Sequence, residues 1–275
     1  MNNINMWIPP ANGNKYNNAA EKHSDIAKVY EEQYNTLYWK VYDRLTNDHM
    51  FENIENSKGK VLDAGGGTGK WARVFAKQGY EVTVLDLSDE MLEQGIEYAK
   101  REGLERKIKF VKGDICELPF SDDKFDVVIS QGNPVCYSEK PYNAIKELYR
   151  VAKKGADIVI SVHNKLSMIH YFYYFMGKVS YDDIEKFSET NNIYIDYPIY
   201  AFTPSELRNI CEDIGMYVKS LVGKQLISGY VQSDSYLKIL SDDILFEKTI
   251  NLEKKYWDFK EAVGMASHLE IICRK

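Results

Sequence analysis

Between residues 60 and 162, short apolar runs alternate with longer stretches whose apolar positions recur every three or four residues. The runs at 60–64 (KVLDA), 81–86 (EVTVLD), 108–114 (IKFVKGD), 125–130 (FDVVIS) and 157–162 (DIVISV) have the length and β-branched content of buried strands. The stretches between them carry helix signals. Trp71, Val74 and Phe75 precede Gly79 as a left-handed cap; Ser88 can cap the next helix, with Asp89 and Glu90 in its first turn and Gly103 beyond its end. A further helix is expected from about 141 to 152. Strands alternating with amphipathic helices predict an α/β fold, a doubly wound, mostly parallel sheet with helices on both faces.

The rhythm changes on either side of this region. Residues 1 to about 20 are polar and contain Pro9 and Pro10, which predicts an irregular arm. From 24 to 50 the pattern is helical and rich in rings, and Tyr30, Tyr34 and Tyr38, every fourth residue, are expected to share one helical face. After His163 an aromatic insertion (MIHYFYYFMGKVSYDDIEKF) breaks the alternation. Thr203, Pro204, Ser205 and Glu206 then predict a capping box, followed by the buried stripe Leu207, Ile210, Cys211 and Ile214, with Gly215 as terminator. A strand at 216–223, one long helix near 242–263 and a final strand at 267–274 complete the chain. The expected organisation is an N-terminal arm and lid helix at 1–50 and one domain at 51–275, with a cap inserted at about 164–200.

Composition narrows the function classes. Charged residues at 28% and hydrophobic ones at 44% are ordinary for a globular protein with a real core. The net charge of −6 counts against a dedicated nucleic-acid binder, which needs a basic footprint. The four cysteines are far apart and form no CxxC pair, and His23, His49, His163, His170 and His268 have no metal-ligand spacing, so no metal is expected. No apolar run approaches the ~20 residues of a membrane span, and the first residues lack an apolar signal core, so a cytoplasmic protein is expected.

The stretch VLDAGGGTGKW (61–71) carries the candidate chemistry. A nucleoside-triphosphate P-loop needs a glycine five residues before the Gly of the Gly-Lys pair and a hydroxyl after the lysine; Ala64 and Trp71 stand there instead. A dinucleotide loop needs G-x-G-x-x-G, whereas Gly65, Gly67 and Gly69 give G-x-G-x-G. Asp63, at the strand end, would also repel a pyrophosphate. A phosphate-free ligand with an ammonium and a sulfonium reverses that sign. S-adenosylmethionine is such a ligand: glycines let the backbone approach it, and Asp63 is expected to help hold its ammonium, directly or through water.

At this point the sequence resembles the class I S-adenosylmethionine-dependent methyltransferases of the small-molecule type, closely over about 58–163 and in layout over 200–275. VLDAGGGTGKW is similar to the family's first motif, with Asp63, Gly65 and Gly67 at the donor. VTVLDLSDEML (82–92) resembles the second, which implies that Asp86 binds the ribose hydroxyls and that Leu87 and Met91 flank the adenine. VKGDICELPF (111–120) resembles the third, which implies that Asp114 accepts from the adenine amino group and the Ile115 N–H meets a ring nitrogen. FDVVISQGNPVCY (125–137) resembles the fourth and places Gln131 beside the methionine moiety. The resemblance also implies a seven-stranded sheet with an antiparallel last strand, 267–274, between the strands at 157–162 and 216–223. The Asn-Pro-Pro-aromatic motif of amino-group methyltransferases is not matched, because Val135 and Cys136 follow Asn133 and Pro134. No acidic cluster of the metal-dependent catechol type follows the fourth strand either.

Methyl transfer from a sulfonium is an in-line displacement that depends mainly on alignment and on excluding water. A base is required only if the acceptor must lose a proton. The acceptor-side candidates are Tyr137, His163, Tyr171 and Tyr173, the last two from the aromatic insertion, where some rings must simply pack. The expected partner is a small-molecule acceptor, with S-adenosylhomocysteine as the second product and no membrane. A methyltransferase of RNA or protein and a non-catalytic donor-binding module stand as alternatives, because no single invariant catalytic residue marks activity in this fold.

Overall fold

A computed structural model describes residues 16–56, 58–174, 179–194, 196–230, 239 and 241–275; the N-terminal arm before Tyr16 lies outside the described residues. Five strands alternate with helices as the hydrophobic pattern predicts: β1 (Lys60–Ala64), α4 (Lys70–Lys77), β2 (Glu81–Asp86), α5 (Asp89–Arg101), β3 (Ile108–Lys112), β4 (Phe125–Ser130), the short α6 (Pro134–Tyr137), α7 (Pro141–Val151) and β5 (Ala152–His163). The last of these starts five residues before the expected 157. Its first residues extend past a register shift to pair Ala152 with Phe125.

Together with β8 (Tyr217–Lys224) and β9 (His268–Arg274) they form one sheet in the order β3-β2-β1-β4-β5-β9-β8. The pairs from β3 to β5 are parallel, and β9 runs antiparallel to both β5 and β8. The expected order and the antiparallel final strand are both present. Alternation along the strands splits the core into two layers. Leu62, Val128, Ile158 and Ile160 face one side with α7. Val61, Val127, Ile129 and Val159 face the other, beneath α4 and α5. Burial on both faces explains why these strands read as nearly continuous apolar runs.

Ahead of the sheet come α1 (Ala19–Ile26), a 3-10 turn (Ala27–Val29), α2 (Tyr30–Gln33) and α3 (Leu37–Asn53). The single helix expected across Tyr30, Tyr34 and Tyr38 is therefore broken. Thr36 is extended (φ −115°, ψ 167°) and opens α3, so the three tyrosines do not share one helical face. Asn and Thr are poor helix formers and favour caps, which places the break between two runs of better formers.

The segment after His163 holds α8 (Lys165–Tyr174), α9 (Tyr181–Thr190) and a small hairpin of β6 (Asn192–Tyr194) and β7 (Pro198–Tyr200), followed by α10 (Pro204–Ile214). The Thr203–Glu206 capping box and the left-handed Gly215 are present as expected. The long helix expected near 242–263 is two: α11 (Asp243–Tyr256) and α12 (Lys260–Val263). The Trp257 carbonyl is taken by the Gly223 N–H of β8 at 2.7 Å, which diverts the chain there. Among the described residues no helix is long and apolar enough to cross a membrane.

Candidate functional site

A cleft lies over the carboxyl ends of β1, β2 and β4, the position doubly wound sheets give their ligands. Its floor is built from backbone at the strand ends. Gly65, Gly66 and Gly67 line it. Gly67 has φ +54°, and a Cβ there would lie 2.8 Å from the Met91 methyl, so a side chain would fill the cleft. Asp86, at the end of β2, accepts the Gly67 N–H on Oδ2 (2.9 Å) and the Ser88 N–H on Oδ1 (3.0 Å). Burial raises its pKa, and those N–H groups pull the other way. Leu87, Met91, Asp114 and Ile115 line the same wall. Gln131, at the end of β4, is 5% exposed and lines the cleft, and neither side-chain atom of its amide has a partner among the described residues. A buried amide with no partner costs stability unless a ligand satisfies it.

Asp63 sits differently. Its carboxyl group lies directly under Gly66, where a Cβ would be 2.6 Å from Asp63 Cγ, and it is not part of the cleft wall. Oδ2 accepts the Ala72 N–H at 3.2 Å, while Oδ1 has no partner. Burial raises its pKa to about 7, with the Asp86 carboxylate adding to the rise and the Ala72 N–H opposing it. The glycine loop thus rests on a carboxyl group poised between its charged and neutral forms. Asp63 acts on the cleft through that loop, with Gly66 between them.

The roof comes from the N-terminal helices. His23, Tyr30, Tyr34, Trp39 and Tyr42 line the cleft from above, and Tyr137 of α6 lines it from the side. Their rings form a closed circuit. His23 meets Tyr30 at 5.6 Å between centroids, Tyr30 meets Tyr34 at 4.5 Å, Tyr34 meets Trp39 at 4.6 Å and Trp39 meets Tyr42 at 5.4 Å. Tyr42 continues to His268 at 5.0 Å, His268 to His163 at 5.4 Å, His163 to Tyr137 at 5.5 Å, and Tyr137 returns to His23 at 6.1 Å. These are offset or edge contacts of the kind aromatic pairs favour.

Buried polar bonds anchor the circuit. The Tyr137 hydroxyl and His163 Nε2 are 2.8 Å apart. Tyr42 bonds Ser161 Oγ, which donates to Asn133 Oδ1, while Asn133 Nδ2 donates to His268 Nδ1. His268 Nε2 therefore carries the proton and donates to the Tyr38 hydroxyl at 2.9 Å. Asn133 can serve both neighbours because it takes the left-handed conformation (φ 67°) just before Pro134 starts α6. Burial lowers His163 and His23 to about 4 and His268 well below 6.5, so the imidazoles are neutral. Burial drives Tyr30 and Tyr137 well above 10.

Ion pairs at the rim tie roof to floor. Glu31 accepts from Thr68 Oγ1 (2.6 Å) and from Arg73 (2.9 Å), and Asp43 pairs with Lys70. Deeper, under Tyr42, the fully buried Lys224 bonds Glu270 (2.7 Å) and Thr46 (2.6 Å), and Glu270 bonds His49 at 2.7 Å. Burial alone would raise Glu270, but Lys224 and His49 bring it below its usual value.

Of the residues singled out in the sequence, Gly65, Gly67, Asp86, Leu87, Met91, Asp114, Ile115, Gln131 and Tyr137 converge on this cleft. His163 stands behind Tyr137 rather than in the wall. Tyr171, on α8, packs against the core beside Phe172 and is not part of the wall, and the side chain of Tyr173 lies outside the described residues. Sequence reasoning missed His23 and Asn133, and saw Trp39 and Tyr42 only as part of the ring-rich stretch at 24–50. Asn133–Pro134 was visible only as a poor match to a different motif, and the roof rings meet the floor only through the long-range fold. No group of three or more His, Cys, Asp or Glu among the described residues could hold a metal.

Comparison with known proteins agrees with this geometry. The model of a methyltransferase domain matches residues 61–155. A ubiquinone/menaquinone biosynthesis C-methyltransferase of Ruegeria sp. (strain TM1040) is 36% identical over 128 residues, 45% of this chain. The chain spans only half of that relative's length. In structure, the complex of the Haloferax volcanii Trm112 methyltransferase activator with a methyltransferase gives a TM-score of 0.62 at 19% identity, over 94% of this chain and 98% of that one. The [4+2]-cyclase SpnF gives 0.62 at 15% identity, over 96% and 99%. Residues 61–155 thus match a methyltransferase domain, and the fold is one shared with solved methyltransferases.

Proposed function

We propose that the chain transfers a methyl group from S-adenosylmethionine to a small-molecule acceptor, working in the cytoplasm, where Cys116, Cys136, Cys211 and Cys273 stay free thiols. The reaction needs an argument from the site, because a cyclase shares the fold. The observation that carries it is Asp86. Each of its oxygens already accepts one backbone N–H and keeps a lone pair for a vicinal diol in the cleft. Asp114 and the Ile115 N–H stand at the next strand end for an adenine, and the unpartnered Gln131 amide is available to the amino-acid end. Asp63 supports the loop from beneath, and an ammonium above that loop favours its charged form.

The donor supplies a methyl carbon already activated by sulfonium. The protein's part is to hold the acceptor's nucleophilic atom in line and keep water out. Tyr34, Trp39 and Tyr42 close the cleft against solvent, and the Tyr137–His163 pair borders the acceptor side. The acidic net charge argues against RNA as acceptor.

Calorimetry on the full chain tests the donor assignment. S-adenosylhomocysteine should bind with measurable heat, and NAD, NADP and ATP should not. Tight dinucleotide binding with no heat from S-adenosylhomocysteine would overturn it. Loss of donor during incubation with a panel of metabolites then separates an enzyme from a binding module.

A further inference from the structure

The acceptor side of the cleft is walled by the faces and edges of rings, and the charges around it are already committed. Glu31 is held by Arg73 and Thr68, and Asp43 by Lys70. Ammonium groups also lie against the ring cluster from outside: Lys224 sits 3.9 Å from the Tyr42 centroid, and Lys22 lies 5.2 Å from that of Tyr197, which packs on Tyr137. An incoming cation would find the Tyr42 ring already engaged by Lys224 and would face the donor's own sulfonium. A flat, uncharged ring has no such conflict and gains the stacking the box offers.

One imidazole of the ring circuit is unused. His163 and His268 each hold hydrogen bonds, whereas His23 touches only rings and makes no hydrogen bond among the described residues. It lines the cleft between Tyr30 and Tyr137. A neutral imidazole with a free nitrogen accepts a proton from a hydroxyl.

Resting on the methyltransferase reading, we propose that the ring of aromatic side chains is the acceptor site for an uncharged aromatic hydroxyl compound, a phenol or naphthol type of ring, and that His23 is the catalytic residue that receives the hydroxyl proton. The acceptor oxygen forms its bond to the methyl carbon as the S–CH3 bond breaks. The electron pair of that bond stays on sulfur, and the hydroxyl proton passes to His23. Charge in the closed cleft is conserved in this step: a sulfonium disappears as an imidazolium forms. The burial that makes His23 a weak base in the resting protein is thus offset during transfer, when the competing positive charge is lost.

The test is binding to the full chain saturated with S-adenosylhomocysteine, using 2-naphthol and phenyltrimethylammonium as probes. The expected result is 2-naphthol binding tighter by about tenfold or more. Equal or tighter binding of the ammonium, or no heat from either probe, overturns the assignment of the box. The variant His23→Phe keeps a ring and removes the nitrogen, so its 2-naphthol affinity should fall by about three- to tenfold with S-adenosylhomocysteine affinity unchanged. An unchanged 2-naphthol affinity in that variant removes His23 from its role. The heat of S-adenosylhomocysteine also reports that each variant is folded. Its absence in the wild type overturns the methyltransferase reading itself, and the inference with it.

Discussion

The floor and the roof of the cleft are built on opposite principles. The floor is backbone: glycines and strand-end carboxylates of β1 to β4, set by local sequence within about one βαβ unit each. The roof is side chain: rings from the N-terminal helices, α6, β5 and β9, meeting across as many as 230 residues, as Tyr38 and His268 do. Their electrostatics differ in the same way. The floor buries carboxyl groups, Asp63 and Asp86, whose pKa values are pushed up, while the roof buries imidazoles whose pKa values are pushed down. On the proposed reading, a floor of hydrogen-bond acceptors suits a donor bearing an ammonium and a diol. A roof of neutral rings suits a partner that carries no charge.

The largest expected effect lies where the roof is anchored. Lys224 and Glu270 are both fully buried, and Thr46 and His49 of α3 complete their bonds. Lys224→Met leaves Glu270 charged and short of a partner, which should cost ~3–5 kcal/mol of unfolding free energy by urea titration. Lys224→Met combined with Glu270→Leu should recover much of that loss. If the double variant is as unstable as the single one, packing rather than charge holds α3 in place.

Acidity should separate the two regions next. His23 and His163 titrate near 4 in the folded protein and near 6.5 when unfolded, so the unfolded chain takes up protons first. Each contribution is complete above about pH 6.5 and is lost as pH falls toward 4, roughly 3 kcal/mol for each histidine. Asp63 has the opposite sign. Its folded pKa is raised to about 7, so its contribution is present below its unfolded value near 3.8 and is lost as pH rises through 7. Asp63→Asn should therefore remove a loss spread over about pH 4–7 and leave the histidines' rise across the same window steeper than in the wild type. An Asp63→Asn profile parallel to the wild type from pH 4 to 8 would show that the carboxyl group beneath Gly66 is not strained by burial.

On the floor itself, Asp86→Ala should weaken S-adenosylhomocysteine binding by ~1.5–3 kcal/mol, the range for a hydrogen bond to a charged group, or roughly ten- to a hundredfold. Thermal unfolding of the empty protein should change little, since the carboxylate's partners are loop N–H groups at the cleft. Unaltered affinity in a folded variant removes Asp86 from the diol-binding role.

The same contrast explains what the sequence disclosed. The strands between 60 and 162, the capping box at Thr203 and the floor residues were legible because each rests on a local pattern: a period, a cap, or a glycine followed by a helix; the strand order came only with the family resemblance. Tyr30, Tyr34 and Tyr38 were legible as a cluster but not in their geometry. Their spacing predicts one stripe, but with the break at Thr36 Tyr30 and Tyr34 line the cleft while Tyr38 bonds His268. His23 carried no signal at all, since a histidine in a polar helix looks solvated until Tyr137 and Tyr197 are brought against it. The aromatic insertion misled in the other direction: Tyr171 had the composition of a wall residue and packs against the core beside Phe172.

The smallest expected effect concerns the seam between the regions. We propose that residues 16 to about 36 act as a lid, held to the floor by Glu31 on Arg73 and Thr68 and by Ser24 on Ser88 at 2.8 Å, with the Asp43–Lys70 pair at its hinge on α3. Lys70 is 41% exposed and Asp43 29%, so solvent and salt screen their pair strongly. Lys70→Ala should cost only ~0.2–1 kcal/mol of global stability, within the range of exposed pairs. Its consequence should be local, because the seam is crossed by a few polar contacts whereas α3 is anchored on buried charge and on Leu37, Val41 and Leu45. Hydrogen exchange can resolve this. Amides of α1 and α2 should exchange faster in Lys70→Ala and at high salt, while those of α3 keep wild-type protection, and S-adenosylhomocysteine should restore protection to α1 and α2. If α1, α2 and α3 are equally protected in every condition, the segment is a permanent part of the core and the cleft opens elsewhere.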